Sequence, residues 1–242
     1  MSKLVNQDGE KISTIRVAIC VPAQDFCAVG FAHDLARLAG FMGSTRPDVT
    51  VMLFTSRGTI IPQQRTELVK YALQADATHI LWLDSDMRFP KETMNRLLAH
   101  NESIVGANYS TRRPPITPTA AHPNNVHEYT TPESTGLVEV TRMGMGCMLV
   151  NMDVYKKMTA PWFALGYVPS ANDFVGEDVF FCQKATATGF PVLVDHDLSK
   201  EIIHLGEFPY QFTHPLLARA AQIAHDAKQA SGSPESPEHG PQ

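Results

Sequence analysis

An α/β domain with a mostly parallel central sheet flanked by helices is the fold class the sequence predicts, on three observations. Strand-like and helix-like segments alternate through roughly the first hundred residues, the order that builds a parallel sheet with helices on both faces. The strand segments are short, continuous apolar runs, as in strands buried on both sides. Apolar residues make up 43% of the 242-residue chain against 19% charged, which suits a buried core and argues against global disorder.

Ile15 to Val21 (IRVAICV) opens the alternation and stops at Pro22. Asp25 to Gly40 spaces its apolar residues as a helix does, with Gly40 and Gly43 near its end. Val49 to Phe54 (VTVMLF) is the second strand, and Pro62 stands in the first turn of a helix through QQRTELVKYALQA. His79 to Leu83 (HILWL) is the third strand, and it runs into Asp84, Ser85 and Asp86. Pro90 to Ala99 is a short helix and Ser103 to Ala107 a further strand. The pattern then changes. Residues 109–135 carry Pro114, Pro115, Pro118, Pro123 and Pro132 among Thr, Asn and His, a loop-rich excursion with an edge strand expected near Thr117–Ala121. Leu137 to Arg142 and Cys147 to Asn151 read as strands flanking Gly144-Met145-Gly146. Glu177 to Thr188 is a helix ending at Gly189, Val192 to Val194 and Ile202-Ile203 are short strands, and Phe212 to Lys228 has helical periodicity. Residues 1–14 are polar and expected to fray, and residues 230–242 lack the apolar content to fold. One domain over 15–229 follows, with a regular half at about 15–108 and an irregular half at about 109–229.

The net charge of −5 is unlike a dedicated nucleic-acid binder, whose affinity comes from phosphate neutralisation, though a local basic patch stays compatible with it. Cys20, Cys27, Cys147 and Cys182 form no CxxC pair, so free thiols are expected rather than a zinc ribbon or a disulfide framework. The first residues lack the apolar core of a signal peptide, and no run approaches the roughly 18 apolar residues of a membrane span. A soluble, cytoplasmic protein is the expectation.

Asp84-Ser85-Asp86 is the sharpest chemical signal. Ligands of open α/β sheets bind at the carboxyl ends of strands. Two carboxylates there suit a hard cation, Mg²⁺ or Mn²⁺, whose other ligands would be diphosphate oxygens. A solvated turn is the bland reading, since Asp and Ser favour turns. Glu177 and Asp178 open a helix, where they either cap it and offset its dipole or supply a general base. His204, in EIIHLG, is either a structural histidine or a late metal ligand, with His196 as a competitor whose DHD context suggests a turn. Arg65 is either an exposed helix charge or a contact to diphosphate or nucleobase. Arg112 and Arg113 are either a solvated pair or a clamp for phosphate or an anionic acceptor. Trp162 and Phe163 either stack on a sugar or base or pack in the core.

Taken in order, the segments VAICVPAQD, SRGTIIPQQRTELV, ILWLDSDMRFP, IVGANYSTRRPP, GMGCMLVNMDVY, GEDVFFCQKATATGF and IIHLG resemble the GT-A glycosyltransferases. The likeness is to small family-two-like enzymes and glycosyltransferase-like proteins of tailed phages, and it spans roughly residues 15–207. The resemblance implies a GT-A fold whose regular half binds a nucleoside-diphosphate sugar, a UDP-sugar first among them, and whose other half holds the acceptor. It implies nucleotide contacts at Pro22 and Ala23 and a donor contact at Ser85. It implies a metal on Asp86, Asp84 near ribose or metal, and His204 as a late ligand. Asp178 becomes the base of an inverting transfer, beside Glu177. Gly144 and Gly146 match a glycine-bearing loop at the acceptor site. The first strand departs from the pattern, ending VPAQD without small residues and Asn after the proline.

A nucleotidylyltransferase would carry a Gly-rich basic signature after the first strand, which PAQDFCAVG lacks. GMGCM is not the GxGxxG of a dinucleotide-binding dehydrogenase. A noncatalytic nucleotide-sugar module would keep the fold without needing both acidic pairs. The phage likeness points to a hydroxymethylpyrimidine in DNA as acceptor, in a host cytoplasm, with Arg112, Arg113, Arg142 and Lys156-Lys157 as a local basic surface; glycan and protein acceptors stay open.

Overall fold

The computed structural model describes residues 15–112, 116–169, 172–206 and 223. Residues up to Leu205 form one unit and the chain from Gly206 onward another. Every element named below belongs to the first. The expected frayed segment at 1–14, the helix at 212–228 (residue 223 apart), the tail from 230 and Arg113 lie outside the described residues.

In chain order the elements are β1 (Ile15–Ala23), α1 (Val29–Thr45), β2 (Val49–Arg57), α2 (Ile61–Gln74), β3 (His79–Leu83), β4 (Met87–Arg88), α3 (Thr93–Ala99) and β5 (Ile104–Gly106). There follow β6 (Leu137–Val140), β7 (Cys147–Asn151), α4 (Met152–Lys157), β8 (Gly166–Val168), β9 (Asp173–Val175), α5 (Glu177–Ala187), β10 (Val192–Asp195), α6 (His196–Ser199) and β11 (Ile203–His204). Seven strands make one sheet in the order β2-β1-β3-β7-β5-β10-β6. β1 runs parallel to β2 and β3, and β5 parallel to β10, while β7 is antiparallel to both its neighbours and β6 to β10. All strands but β6 and β7 therefore point one way, the mostly parallel arrangement expected.

Strand alternation splits the core in two. Ala18, Cys20, Ile80 and Trp82 face α2, α4 and α5, meeting Leu68, Val69, Val154 and Phe181. Val17, Ile19, Leu81 and Leu83 face the other way, onto Phe31, Leu38 and Met42 of α1 and Met94 and Leu97 of α3. Period-two side chains on strands buried from both sides explain why Val17–Val21 and Ile80–Leu83 are continuous apolar runs. Burying each such large apolar side chain contributes about 1.5–3 kcal/mol. Trp82 is fully buried and its indole N–H donates to the Tyr155 hydroxyl at 2.9 Å, so the one polar atom in that wall is satisfied.

Some boundaries differ from the sequence expectation. α1 starts at Val29 rather than Asp25, because the Ala28 amide donates to the Ser85 carbonyl at 3.0 Å and Asp25 pairs with Arg57. Pro90 lies in a turn before α3, where Thr93 returns a hydroxyl hydrogen bond to its carbonyl. The edge strand expected near Thr117–Ala121 is reduced to isolated bridges, Ser110 to Pro118 and Ala121 to His127 and Arg142. Pro118 and Pro123 remove backbone donors from that stretch, so a ladder cannot extend. His196 begins a short helix rather than a turn, with Asp195 as its cap, accepting from the Leu198 amide at 2.9 Å.

Candidate active site

β1 and β3 are adjacent and parallel, so the segments leaving their carboxyl ends, from Pro22 and from Asp84, open into one cleft. The cleft has a volume of about 480 Å³. It is lined by Pro22, Ala23, Arg65, Asp84, Ser85, Asp86, Arg112, Glu177 and His204, all singled out from the sequence, together with Gln24, Phe26 and Ile61. A two-residue ladder closes it. His204 of β11 stands opposite Met87 of β4, and the Leu205 amide donates to the Asp86 carbonyl at 2.9 Å. Asp86 and His204, 118 positions apart in sequence, are thereby brought side by side.

Arg65 is not an exposed helix charge. It is 3% exposed; its Nη2 donates to Asp84 Oδ1 at 3.0 Å and its Nε to Glu177 Oε1 at 3.1 Å. Its guanidinium lies over Trp82 at 5.1 Å. Burial alone would favour losing the proton, but the two carboxylates outweigh it and hold Arg65 charged beyond its ordinary range. It ties the end of β3 to the start of α5. Its Nη1 is buried with no hydrogen-bond partner. Gln64, a neighbour that carries no signal in the sequence, braces β1: its Oε1 accepts from the Ala23 amide at 3.0 Å and the Ser56 hydroxyl at 3.1 Å.

Asp86 and His204 make the second charged group. Asp86 Oδ2 pairs with Arg112 Nη1 at 2.6 Å, and His204 Nε2 lies 3.6 Å from Asp86 Oδ1. His204 Nδ1 is 2.9 Å from the Ser110 carbonyl, which can only accept, so Nδ1 carries the hydrogen. The Nε2 lone pair of the neutral ring then faces a carboxylate, a geometry that asks for a cation between them or a proton on Nε2. Burial works against each charge, yet the close approach of the two groups prevails: His204, with Arg112, holds the Asp86 carboxyl below its usual range, and Asp86, with the Ser110 carbonyl, holds the His204 imidazolium above its own. A histidine whose second nitrogen is tied to a backbone carbonyl is the usual orientation of a metal ligand. Carboxylate oxygens with one imidazole nitrogen suit Mn²⁺ or Mg²⁺. Among the described residues, no three His, Cys, Asp or Glu side chains converge as a ready metal cage. Arg65 engages Asp84 and Arg112 engages Asp86, so the donor set fits a cation that replaces Arg112.

Asp178 sits in the first turn of α5 beside Glu177, its Oδ1 accepting from the Val179 amide at 2.7 Å. Burial, and then the charge of Glu177, push its carboxyl pKa up. A raised carboxyl near a cleft is a functional candidate as well as a packing consequence.

Gly144 and Gly146 are buried, and the close approach expected there from an acceptor is made by Tyr109. A Cβ on Gly146 would lie 2.7 Å from the Tyr109 hydroxyl, and one on Gly144 would collide with it too. The Gly146 amide donates to that hydroxyl at 2.9 Å. These glycines make room for a half-buried tyrosine whose ring stands edge-on to His204 at 5.1 Å. Trp162 is likewise no stacking platform: its Nε1 donates to the carbonyls of Tyr155 and Met158 at 3.1 and 3.2 Å, and its ring packs on Tyr155. Phe163 is core, stacked on Phe181. His196 is buried beside Thr130 and Glu128, away from the cleft.

No family model matches the sequence, and no curated protein matches it. Solved structures do. A197 from STIV is 13% identical, covering 83% of this chain and 99% of its own, with a TM-score of 0.49. A mutant of Drosophila β-1,4-galactosyltransferase 7, in complex with manganese, UDP-Gal and xylobiose, is 12% identical, covering 85% and 80%, with a TM-score of 0.48. A glycosyltransferase involved in the glycosylation of the major capsid of PBCV-1 is 12% identical, covering 60% and 69%, with a TM-score of 0.34.

Proposed function

We propose that this chain is a GT-A glycosyltransferase that moves a sugar from a nucleoside-diphosphate sugar to an acceptor hydroxyl, with inversion and with a bound divalent cation. The observation that carries the reading is the pairing of Asp86 with His204, whose Nδ1 is fixed on a backbone carbonyl, at the strand ends of one cleft. When bound, Mn²⁺ or Mg²⁺ would neutralise the departing diphosphate. Asp86 and His204 would hold it, and Asp84 would stay on Arg65 and face the donor.

The chain's own residues supply the rest. Pro22 and Ala23, held by Gln64, form a wall against which the nucleotide rests. Arg65, charged and with a spare buried N–H, stabilises negative charge beside the cleft. Asp178 takes the acceptor's proton as the oxygen attacks the anomeric carbon. Its raised pKa makes it a stronger base than an exposed aspartate. Glu177 is held by Arg65 and acts as a positioning residue for that helix turn.

The test is release of nucleoside diphosphate from a panel of UDP-, GDP- and dTDP-sugars with Mn²⁺. We expect slow release from at least one donor, dependent on the metal and absent in Asp86→Ala. Donor binding without turnover under any condition would instead support a noncatalytic nucleotide-sugar module.

A further inference from the structure

A second cavity, of about 750 Å³, shares the first turn of α5 with the donor cleft. Val175, Gly176 and Val179 line it, whereas Glu177 lines the donor cleft, so Asp178 lies in the turn that borders both. Its other walls come from the loop at 122–125, from Arg142, and from the β8–β9 hairpin.

The chemistry of those walls is specific. Phe174 is 70% exposed, so an aromatic face is presented to solvent beside the cavity. Asn124 and Asn125 both hold left-handed backbone, with φ of 60° and 61°, and bring two amides to the rim. Asn is among the few residues that tolerate this conformation, and paired outliers of this kind gather at ligand clamps. Gln183 adds a third amide and Asp173 a carboxylate. Arg142 Nε is buried without a hydrogen-bond partner, which costs stability unless a ligand satisfies it. An apolar ring face beside planar amides, one guanidinium and one carboxylate is what a pyranose needs, with a C–H face on one side and hydroxyls around its edge. A DNA acceptor also stacks on aromatics, but it needs several cations along its backbone. The only cationic or titratable base-forming groups here are Arg142 and His122, offset by Asp173.

We propose that this cavity is the acceptor subsite and that the acceptor is a saccharide. The assignment rests on the glycosyl-transfer reading above for the direction of the chemistry. The ring stacks on Phe174, hydroxyls bond to Asn124, Asn125, Gln183 and Arg142, and one hydroxyl reaches Asp178 across the helix turn. This departs from the acceptor residues the sequence suggested: Gly144, Gly146 and Trp162 are taken up by packing, Arg112 pairs with Asp86 in the first cleft, and Arg113 lies outside the described residues.

The full chain, without donor, is probed on a broad glycan array and, separately, with a DNA duplex containing 5-hydroxymethylcytosine. Phe174→Ala, Arg142→Gln and, as a control on the distant sheet edge, Leu53→Ala are compared. Phe174 is largely exposed, so its loss leaves the fold intact. We expect at least one glycan to bind, with affinity lowered roughly tenfold by Phe174→Ala, lowered by Arg142→Gln, and unchanged by Leu53→Ala. Absence of glycan binding overturns the proposal, as does glycan binding indifferent to Phe174 and Arg142, or Arg142-dependent binding of the duplex alone. Binding needs no turnover, so the two readings separate. Phe174-dependent glycan binding in a protein that releases no nucleoside diphosphate keeps the saccharide site and removes the transferase. Nucleoside-diphosphate release with no glycan binding keeps the transferase and removes the saccharide site.

Discussion

In the cleft at the ends of β1 and β3 the charges are paired with one another: Arg65 with Asp84 and Glu177, Arg112 with Asp86, His204 with Asp86. Across the first turn of α5, Arg142 Nε has no partner, Phe174 stands in solvent, and two asparagines hold left-handed backbone. The first cleft rises from strand ends and helices, and the second cavity from loops and the paired three-residue strands β8 and β9. The difference teaches where each site keeps its binding energy. A charged ligand must break existing ion pairs in the first, which selects for a partner carrying its own cation and anion together. A neutral ligand only has to cover groups already exposed or unsatisfied in the second.

The sharpest way to break this comparison is to remove the cation's seat. Asp86→Ala should lower donor turnover by about 10³-fold, the scale of several kcal/mol of charge stabilisation. Steady-state rates across a Mn²⁺ titration measure it, and unchanged turnover would refute the metal assignment.

Asp178→Asn attacks the wall between the two sites. It keeps the shape and loses the base, so transfer should fall by about 10²–10⁴-fold while donor binding, read by thermal shift, persists. A variant that transfers normally would move the base elsewhere.

Arg65→Met probes the paired side alone. It leaves Asp84 and Glu177 facing each other without their cation in a mostly buried setting. A loss of about 3 kcal/mol in unfolding free energy is expected from denaturant titration. A negligible loss would mean that solvent, rather than Arg65, compensates those carboxylates.

The smallest effect is one of pH. As the proposed base, Asp178 would have to be ionised, and burial and Glu177 raise its pKa. Transfer should therefore fall, on acidification, at a pH above the ordinary aspartate range. Glu177→Gln removes the second of those causes, so that acid limb should move to lower pH. A limb that stays put, or moves up, would separate Glu177 from the base.

The same contrast explains what the sequence disclosed. HILWL followed by DSD shows both a buried strand and the chemistry at its end, because burial on two faces leaves only apolar residues until the chain reaches solvent. The parallel half of the sheet is legible for that reason. His204 meets Asp86 through a two-residue ladder, too short to carry any periodicity, so only its place in an ordered set of motifs pointed to it. The hairpin at 166–175 left no pattern, because its strands are three residues each and largely exposed. Gly144 and Gly146 looked like an open loop because nothing local announces that Tyr109, 35 and 37 positions earlier, fills their space. For Arg65 the sequence left an exposed helix charge and a donor contact both open, because a helix repeat cannot show that two carboxylates from distant segments will close over it.

The most direct test of the account is anomalous diffraction at the manganese edge from crystals of the full chain grown with Mn²⁺ and the nucleoside diphosphate found by the release assay. We expect one manganese peak bonded to Asp86 and His204, with diphosphate oxygens completing its shell, Arg112 moved off Asp86 and Arg65 still on Asp84 and Glu177. Nucleotide in the cleft with Arg112 still on Asp86, and manganese absent or bound elsewhere, would contradict it.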